Sequence, residues 1–308
     1  MSADGESGAT WKLTAHASKH AVHRALLVHD EIEGWDPELV IAGRELAEDR
    51  PGDWVLEGWY PREPGTAEET AIAGLFADPP PEIVVERLPA EDWLTLSQQN
   101  VQPIRAGRFH VHTPEFPADP DAIDFTIPAS QAFGTGQHRT TAGCLDMLDR
   151  MKASGIAARC IADIGTGTGL LGFAALSLWP LAHCTASDID AVCAEVVAEN
   201  AALNGIGLGP KRGQMAFVVA QGMDHDLLRV NAPYDLVIAN ILAGPLIGLA
   251  GDIAACTAPR GSVLLAGLLA GEQERAVRRA YRRAGLHLAG RLQRGDWAIL
   301  WLRKRRGY

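Results

Sequence analysis

The chain has 308 residues, 47% of them hydrophobic and 21% charged, which is ordinary for a globular protein and long enough for two domains. No run of about 18 apolar residues occurs and the N-terminus has no apolar leader core, so neither a membrane span nor a secretory signal is expected. The net charge of −10 is unevenly spread: residues 1–100 carry 20 Asp and Glu against 7 Lys and Arg, whereas residues 279–308 carry 9 basic residues and 1 acidic.

The acidic front repels nucleic acid and suits a basic protein partner. The basic run Arg303-Lys304-Arg305-Arg306 could touch RNA, but a solvated terminus explains it more simply. The five cysteines (Cys144, Cys160, Cys184, Cys193, Cys256) form no C-x-x-C pair and read as reduced thiols of a cytoplasmic protein. No His/Cys cluster is seen at ligand spacing, so no metal is expected.

In chain order, the first ten residues read as disordered. Residues 11–17 alternate like a strand, and 19–28 carry helical apolar spacing through Val22, Ala25 and Leu26. Residues 39–46 and 53–60 form a strand pair around the turn at 49–52. Residues 66–76 read as a helix with Thr66 as N-cap and Glu69 three residues later. Residues 83–88 are a last strand. The order β-α-β-β-α-β is that of a small ferredoxin-like α+β domain, placed at residues 1–90. A linker with a short helix follows at 91–102, and residues 103–308 make the second domain. Prolines 103, 114, 117, 120 and 128 limit its first part to short β-structure. A helix is expected from Thr140 or Thr141 to Lys152, capped by one of the two threonines.

From residue 160 onward strand and helix alternate: strands at 160–164, 184–188, 216–220, 236–239 and 262–266, helices at 170–178, 191–203, 245–257 and 272–284. This implies a parallel sheet with helices on both faces. Residues 286–292 and 297–302 flank Arg294-Gly295-Asp296 without a helix between them, so an antiparallel hairpin closes the sheet. The fold class is therefore α/β: a Rossmann-like sheet with an antiparallel C-terminal hairpin, preceded by the small ferredoxin-like domain.

Three motifs carry chemistry. Asp163-Ile164-Gly165-Thr166-Gly167-Thr168-Gly169 ends a buried strand in a glycine turn and a helix start, a place where an adenosine-bearing cofactor can approach the backbone. Asp188 ends the next strand, at a spacing that suits an acid gripping ribose hydroxyls. Gly167-x-Gly169-x-x-Gly172 also satisfies a dinucleotide fingerprint, which keeps a nicotinamide-dependent oxidoreductase as an alternative. Asp163 argues against a pyrophosphate there and for a cationic ligand such as the amino group of a methionine moiety. The closing hairpin and the lack of a hydride-transfer pair point the same way, to S-adenosylmethionine. Asn240, after the fourth strand, can accept and donate, and so hold an acceptor amine. Phe133-Gly134-Thr135-Gly136-Gln137-His138-Arg139-Thr140-Thr141 is a second glycine-bearing loop, suited to fold over a ligand, with His138 as a candidate proton relay.

Together these residues resemble the ribosomal protein L11 methyltransferase family. Phe133–Thr141 is similar to its F-G-T-G-x-H-x-T-T signature, 163–169 to its D-x-G-x-G-x-G turn, 187–190 to its D-I-D strand end, and 240–245 to its N-I-L-A-G-P segment. Arg139 stands where the family usually has proline, and Thr166 where it usually has cysteine. The resemblance implies a class I methyltransferase sheet and S-adenosylmethionine as cofactor, with lysine side chains and the terminal amine of the ribosomal protein as acceptors. It implies cofactor contacts at Thr141, Gly165, Asp188 and Asn240, joined by Asp163, Gly167 and Gly169 from the turn. Phe133, Gly134, Thr135 and Gly136 form the substrate loop, and Asn240 and His138 act on the amine. The front domain recognises the basic ribosomal protein, with contact to the ribosome, no membrane and a monomeric state expected. A methyltransferase for another protein or a small molecule is the nearest alternative.

Overall fold

The computed structural model describes residues 10–32, 34–36, 38–46, 53–77, 79–88, 102–128 and 137–305. The chain divides into two units, Met1–Asn100 and Val101–Tyr308. The expected first-ten-residue tail, the turn at 49–52, and the linker helix lie wholly or almost wholly outside the described residues.

In the first unit, strands β1 (Thr10–Ser18), β2 (Val40–Glu45), β3 (Asp53–Tyr60) and β4 (Ile83–Leu88) form an antiparallel sheet in the order β2-β3-β1-β4. Helices α1 (Lys19–Glu31) and α2 (Thr66–Ala73) complete the ferredoxin-like pattern. Alternation places Leu13 and Ala15 of β1 and Trp54 and Leu56 of β3 in a core shared with Val22, Ala25 and Ile72 from the helices. α2 begins at Thr66 itself, so its cap lies one residue earlier than expected. Gly65 is the N-cap, and the Glu68 carboxylate, not Glu69, accepts its N–H at 2.8 Å.

The second unit opens with a three-stranded sheet, β5 (Ile104–Ala106), β6 (Phe109–His112) and β7 (Ile123–Thr126), followed by helix α3 (Gln137–Ala153). α3 starts before the expected caps, so Thr140 and Thr141 lie inside the helix, and both are buried.

The main sheet has eight strands: β8 (Cys160–Ile164), β9 (His183–Asp188), β10 (Gly207–Leu208), β11 (Gln214–Val219), β12 (Tyr234–Asn240), β13 (Thr257–Leu269), β14 (Leu286–Arg294) and β15 (Trp297–Lys304). Their order is β10-β11-β9-β8-β12-β13-β15-β14; all pairings are parallel except those of β15 with β13 and β14. Both faces are buried, which is why the strands read as nearly continuous apolar runs. Ile161, Leu236, Ile238, Leu264 and Ala266 join the core on one face with α3 and helix α4 (Leu170–Leu178); Ala162, Ile164, Val237, Ala239, Val263 and Leu265 join the core on the other.

Helices α5 (Cys193–Leu203) and α6 (Asp226–Asn231) connect strands, and α6 had no expectation behind it. The single helix expected at 245–257 is two, α7 (Ala243–Gly248) and α8 (Ala250–Cys256). Gly244, Gly248 and Gly251 in this run each weaken helix by about 1 kcal/mol relative to alanine, so the chain breaks where tertiary packing asks it to. Helix α9 (Glu272–Arg283) precedes the closing hairpin. Among the described residues no helix is long and apolar enough to cross a membrane.

Candidate active site

The sheet order reverses at β8, with β9 on one side and β12 on the other, and such a switch opens a crevice beyond the carboxyl ends of the strands. Register fixes what stands there. Ile164 of β8 pairs with Ser187 of β9 and with Ala239 of β12. The next residue along each strand is therefore Asp188, Gly165 and Asn240, three in a row across neighbouring strands. Strands lie about 4.8 Å apart, so Asp188 and Asn240 mark the ends of a span of about 10 Å.

The glycine turn between them is held from below. The carbonyl of Ser187 accepts the N–H groups of Gly165 and Thr166 at 2.8 and 3.0 Å. Gly165 adopts φ +67°, and a Cβ there would fall 2.3 Å from Cγ2 of Ile241, so the turn and the segment after Asn240 pack directly on each other. Gly167, at φ +54°, has open space where its Cβ would be, as a backbone that receives a ligand requires. Gly169, also at positive φ, is the N-cap of α4 with no side-chain cap; in that first turn the Gly172 N–H is taken by Asp163.

Asp188 is half-buried. Its Oδ2 accepts the Gly167 N–H at 2.9 Å and its Oδ1 the Asp190 N–H at 3.1 Å. Both oxygens keep further lone pairs for ligand hydroxyls. Ile189, directly after it, and Leu242, beyond Asn240, leave exposed apolar surface near the two ends. Asn240 is half-buried, and its side-chain amide has no hydrogen-bond partner among the described residues.

Asp163 differs from the expectation of a charged group facing a ligand. It is 1% exposed, and its Oδ2 accepts from the Thr166 hydroxyl at 2.6 Å and from the Gly172 N–H at 3.0 Å. Burial pushes its carboxyl up to about 7, against those two hydrogen bonds, and the nearby Asp188 charge raises it further. Asp163 thus braces the glycine turn from inside, tying its start to α4. Asn200 of α5 adds a second brace through the Thr168 carbonyl at 2.9 Å; nothing in its local sequence marked it, since the bond joins residues far apart in the chain.

Thr141 is buried in α3. The guanidinium of Arg139, two residues earlier, lies against Gly295 in the hairpin tip beside the carboxyl end of β13, so this end of α3 reaches the same edge of the sheet. Phe133, Gly134, Thr135 and Gly136 lie outside the described residues, as does the side chain of His138.

The expectation for the basic run at the chain's end needs correction. Lys304 donates to the carbonyls of Ala254 and Thr257 at 2.6 and 2.8 Å, closing the end of α8, and Arg303 donates to the Arg260 carbonyl at 3.0 Å. These two residues of the basic run are structural rather than free for RNA or merely solvated. The expectation of no metal cluster concerned His/Cys clusters only; His110, His112 and Asp124, a mixed His and carboxylate group, gather on the three-stranded sheet. The two histidines stand two residues apart on β6, but their meeting with Asp124 depends on the pairing of β6 with β7. A groove of about 480 Å³ lined by Arg275, Arg278, Arg279 and Arg282 lies by β14 at the sheet edge, and none of the expected site residues line it.

Comparison with known proteins shows the family. Residues 64–305 match the family described as ribosomal protein L11 methyltransferase (PrmA). The ribosomal protein L11 methyltransferase of Agrobacterium fabrum is 38% identical over 274 residues, 87% of this chain and 90% of its own length. That of Caulobacter sp. is 38% identical over 296 residues, covering 94% and 95%. The crystal structure of a ribosomal protein L11 methylase from Lactobacillus delbrueckii subsp. bulgaricus superposes with TM-score 0.57 at 24% identity, over 68% of this chain and 100% of that one, a likeness of fold.

Proposed function

The chain belongs to the ribosomal protein L11 methyltransferase family, and we propose that it transfers methyl groups from S-adenosylmethionine to lysine side-chain and N-terminal amines of that ribosomal protein. The observation that carries this reading is the row Asp188, Gly165, Asn240 at the switch of the sheet. An acid at one end, a glycine backbone in the middle and an uncommitted amide at the other match, in sequence, a ribose, an amino-acid moiety and a reacting amine. The residues present therefore fit the cofactor.

When bound, S-adenosylmethionine supplies a methyl group already activated by its positive sulfur. The chain has to bind, align and deliver a neutral amine. Asp188 holds the ribose hydroxyls, and Gly165 and Gly167 let the ligand lie against the turn. Asn240 accepts a hydrogen bond from the amine through its side-chain carbonyl and so aims the nitrogen lone pair. Thr141 closes the cofactor side from α3, and the loop 133–136 covers the substrate. His138 takes the proton released by the amine.

Free lysine has a pKa near 10.4 and an α-amine about 7.7–8.0, so deprotonation at pH 7 costs about 4.6 and about 1 kcal/mol respectively, at about 1.36 kcal/mol per unit. Desolvating the amine beside Asn240 lowers that cost. In-line placement at about 3–3.5 Å provides much of the remaining acceleration. The acidic first unit recognises the basic ribosomal protein, free or on the ribosome, and the enzyme works as a cytoplasmic monomer.

The test is transfer of labelled methyl from S-adenosylmethionine to purified ribosomal proteins. Label is expected in L11. Label only in other proteins or small molecules, or none at all, would overturn the reading.

A further inference from the structure

His110 and His112 are two residues apart on β6, so both project from one face of the small sheet. Asp124 of β7 stands in register with His110. His110 Nδ1 lies 2.6 Å from Asp124 Oδ1, and His112 Nε2 lies 3.0 Å from Asp124 Oδ2. The imidazoles stack with centroids 5.1 Å apart at 22°. One ligand atom from each of the three residues lies within 4.8 Å of the others.

The neighbours of His112 set its tautomer. His112 Nδ1 lies 2.7 Å from the carbonyl oxygen of Thr113, which can only accept. A neutral imidazole has one N–H. With that proton on Nδ1, Nε2 turns a lone pair toward Asp124 Oδ2 at 3.0 Å, with the Thr126 hydroxyl 3.4 Å away as a weak donor. A divalent cation among the three groups would give these converging lone pairs a common partner. Nδ1–H stays on the Thr113 carbonyl and fixes the tautomer, while His112 Nε2, His110 Nδ1 and the carboxylate all direct lone pairs at the ion.

The supporting contacts are those of a ligand set held from behind. Asp124 Oδ1 accepts the Asp119 N–H at 2.9 Å. Asn204 clamps β7 by accepting the Thr126 N–H and donating to the Thr126 carbonyl, each at 2.8 Å.

We propose that His110, His112 and Asp124 form a binding site for a divalent transition ion of the zinc type, separate from the methyl-transfer crevice. Two imidazole nitrogens and one carboxylate suit zinc and its neighbours, whereas magnesium and calcium take oxygen ligands. Metal–ligand bonds of about 2.0–2.2 Å put tetrahedral ligands about 3.3 Å apart, so the present 2.6 and 3.0 Å contacts open by about 0.7 and about 0.3 Å when the ion enters. The ion ties β6 to β7, and water completes its coordination.

The test is calorimetric titration of the full chain, stripped with chelator, with zinc, and in parallel with magnesium. One equivalent of zinc is expected to bind, magnesium not at all, and zinc is expected to raise the melting temperature. Asp124→Asn and His110→Gln, each shown to be folded by circular dichroism, are expected to weaken zinc binding at least about tenfold. Should a variant not fold, cobalt in the wild-type protein gives the answer: tetrahedral visible bands without thiolate charge transfer are expected. Failure of the wild type to bind zinc, variants that bind as well as wild type, or a thiolate band from cysteine ligation would each overturn the proposal.

Discussion

Replacing Asp163 by asparagine tests the internal brace of the glycine turn. The carboxyl titrates near 7 in the folded protein, chiefly through burial, against an ordinary value of 3.8. As pH rises above about 4 the unfolded chain loses this proton first and the folded chain keeps it, so folding stability declines until about pH 7 and then levels off. The shift of roughly three units corresponds to about 4 kcal/mol in all, of which about 3 kcal/mol falls between pH 5 and 8. Asparagine keeps an acceptor for the Thr166 hydroxyl and the Gly172 N–H but cannot ionise. Urea unfolding of both proteins at a series of pH values gives the difference directly. The stability of Asp163→Asn relative to wild type is expected to rise by about 3 kcal/mol from pH 5 to pH 8. A difference that stays constant over this range would refute the argument that burial outweighs the two hydrogen bonds.

Asn240→Ala is expected to lower kcat for methyl transfer while leaving S-adenosylmethionine affinity within a factor of about three, since a single lost hydrogen bond at the acceptor end is worth about 1 kcal/mol or more to the reacting state alone; single-turnover transfer against equilibrium cofactor binding separates the two. Gly167→Ala is expected to cost about 1 kcal/mol of stability through its positive φ, yet to weaken cofactor binding more than tenfold by filling the open space over the turn, as calorimetry would read. Gly165→Ala, which drives a methyl into Ile241, is expected to lose about 2–3 kcal/mol of stability in urea melts. Glu274, buried and paired with Arg291 through two 2.8 Å bonds, has its carboxyl held below the ordinary range by those bonds. Because Arg291 is partly exposed, Glu274→Gln is expected to cost only about 1–2 kcal/mol at neutral pH, and the gap to wild type is expected to close as pH falls through that lowered value.

Much of the second unit was legible because its strands are buried on both faces and its turns are marked by glycine. β8 and α4 fall at their expected bounds, since an apolar run, a glycine turn and a second apolar run leave little choice of register. The break between α7 and α8 was not legible, because several glycines within one apolar stretch weaken a helix without saying where it yields. The start of α3 at Gln137 was missed because two consecutive threonines look like caps, and burial of both inside the helix overrides that local preference. At the site, the motif identified Asp163 but not its role: only the fold reveals that its carboxylate points inward. The alignment of Asp188 and Asn240 about Gly165, and the meeting of His110 and His112 with Asp124, both depend on strand pairing between distant segments.

The central claim is that S-adenosylmethionine lies along the row from Asp188 to Asn240. A crystal of the protein grown with this cofactor measures that most directly. Ribose hydroxyls within hydrogen-bond reach of the Asp188 carboxylate and a sulfonium methyl pointing toward the Asn240 amide are the expected result. A ligand seated elsewhere, or one running in the reverse direction with its adenosine at Asn240, would contradict it.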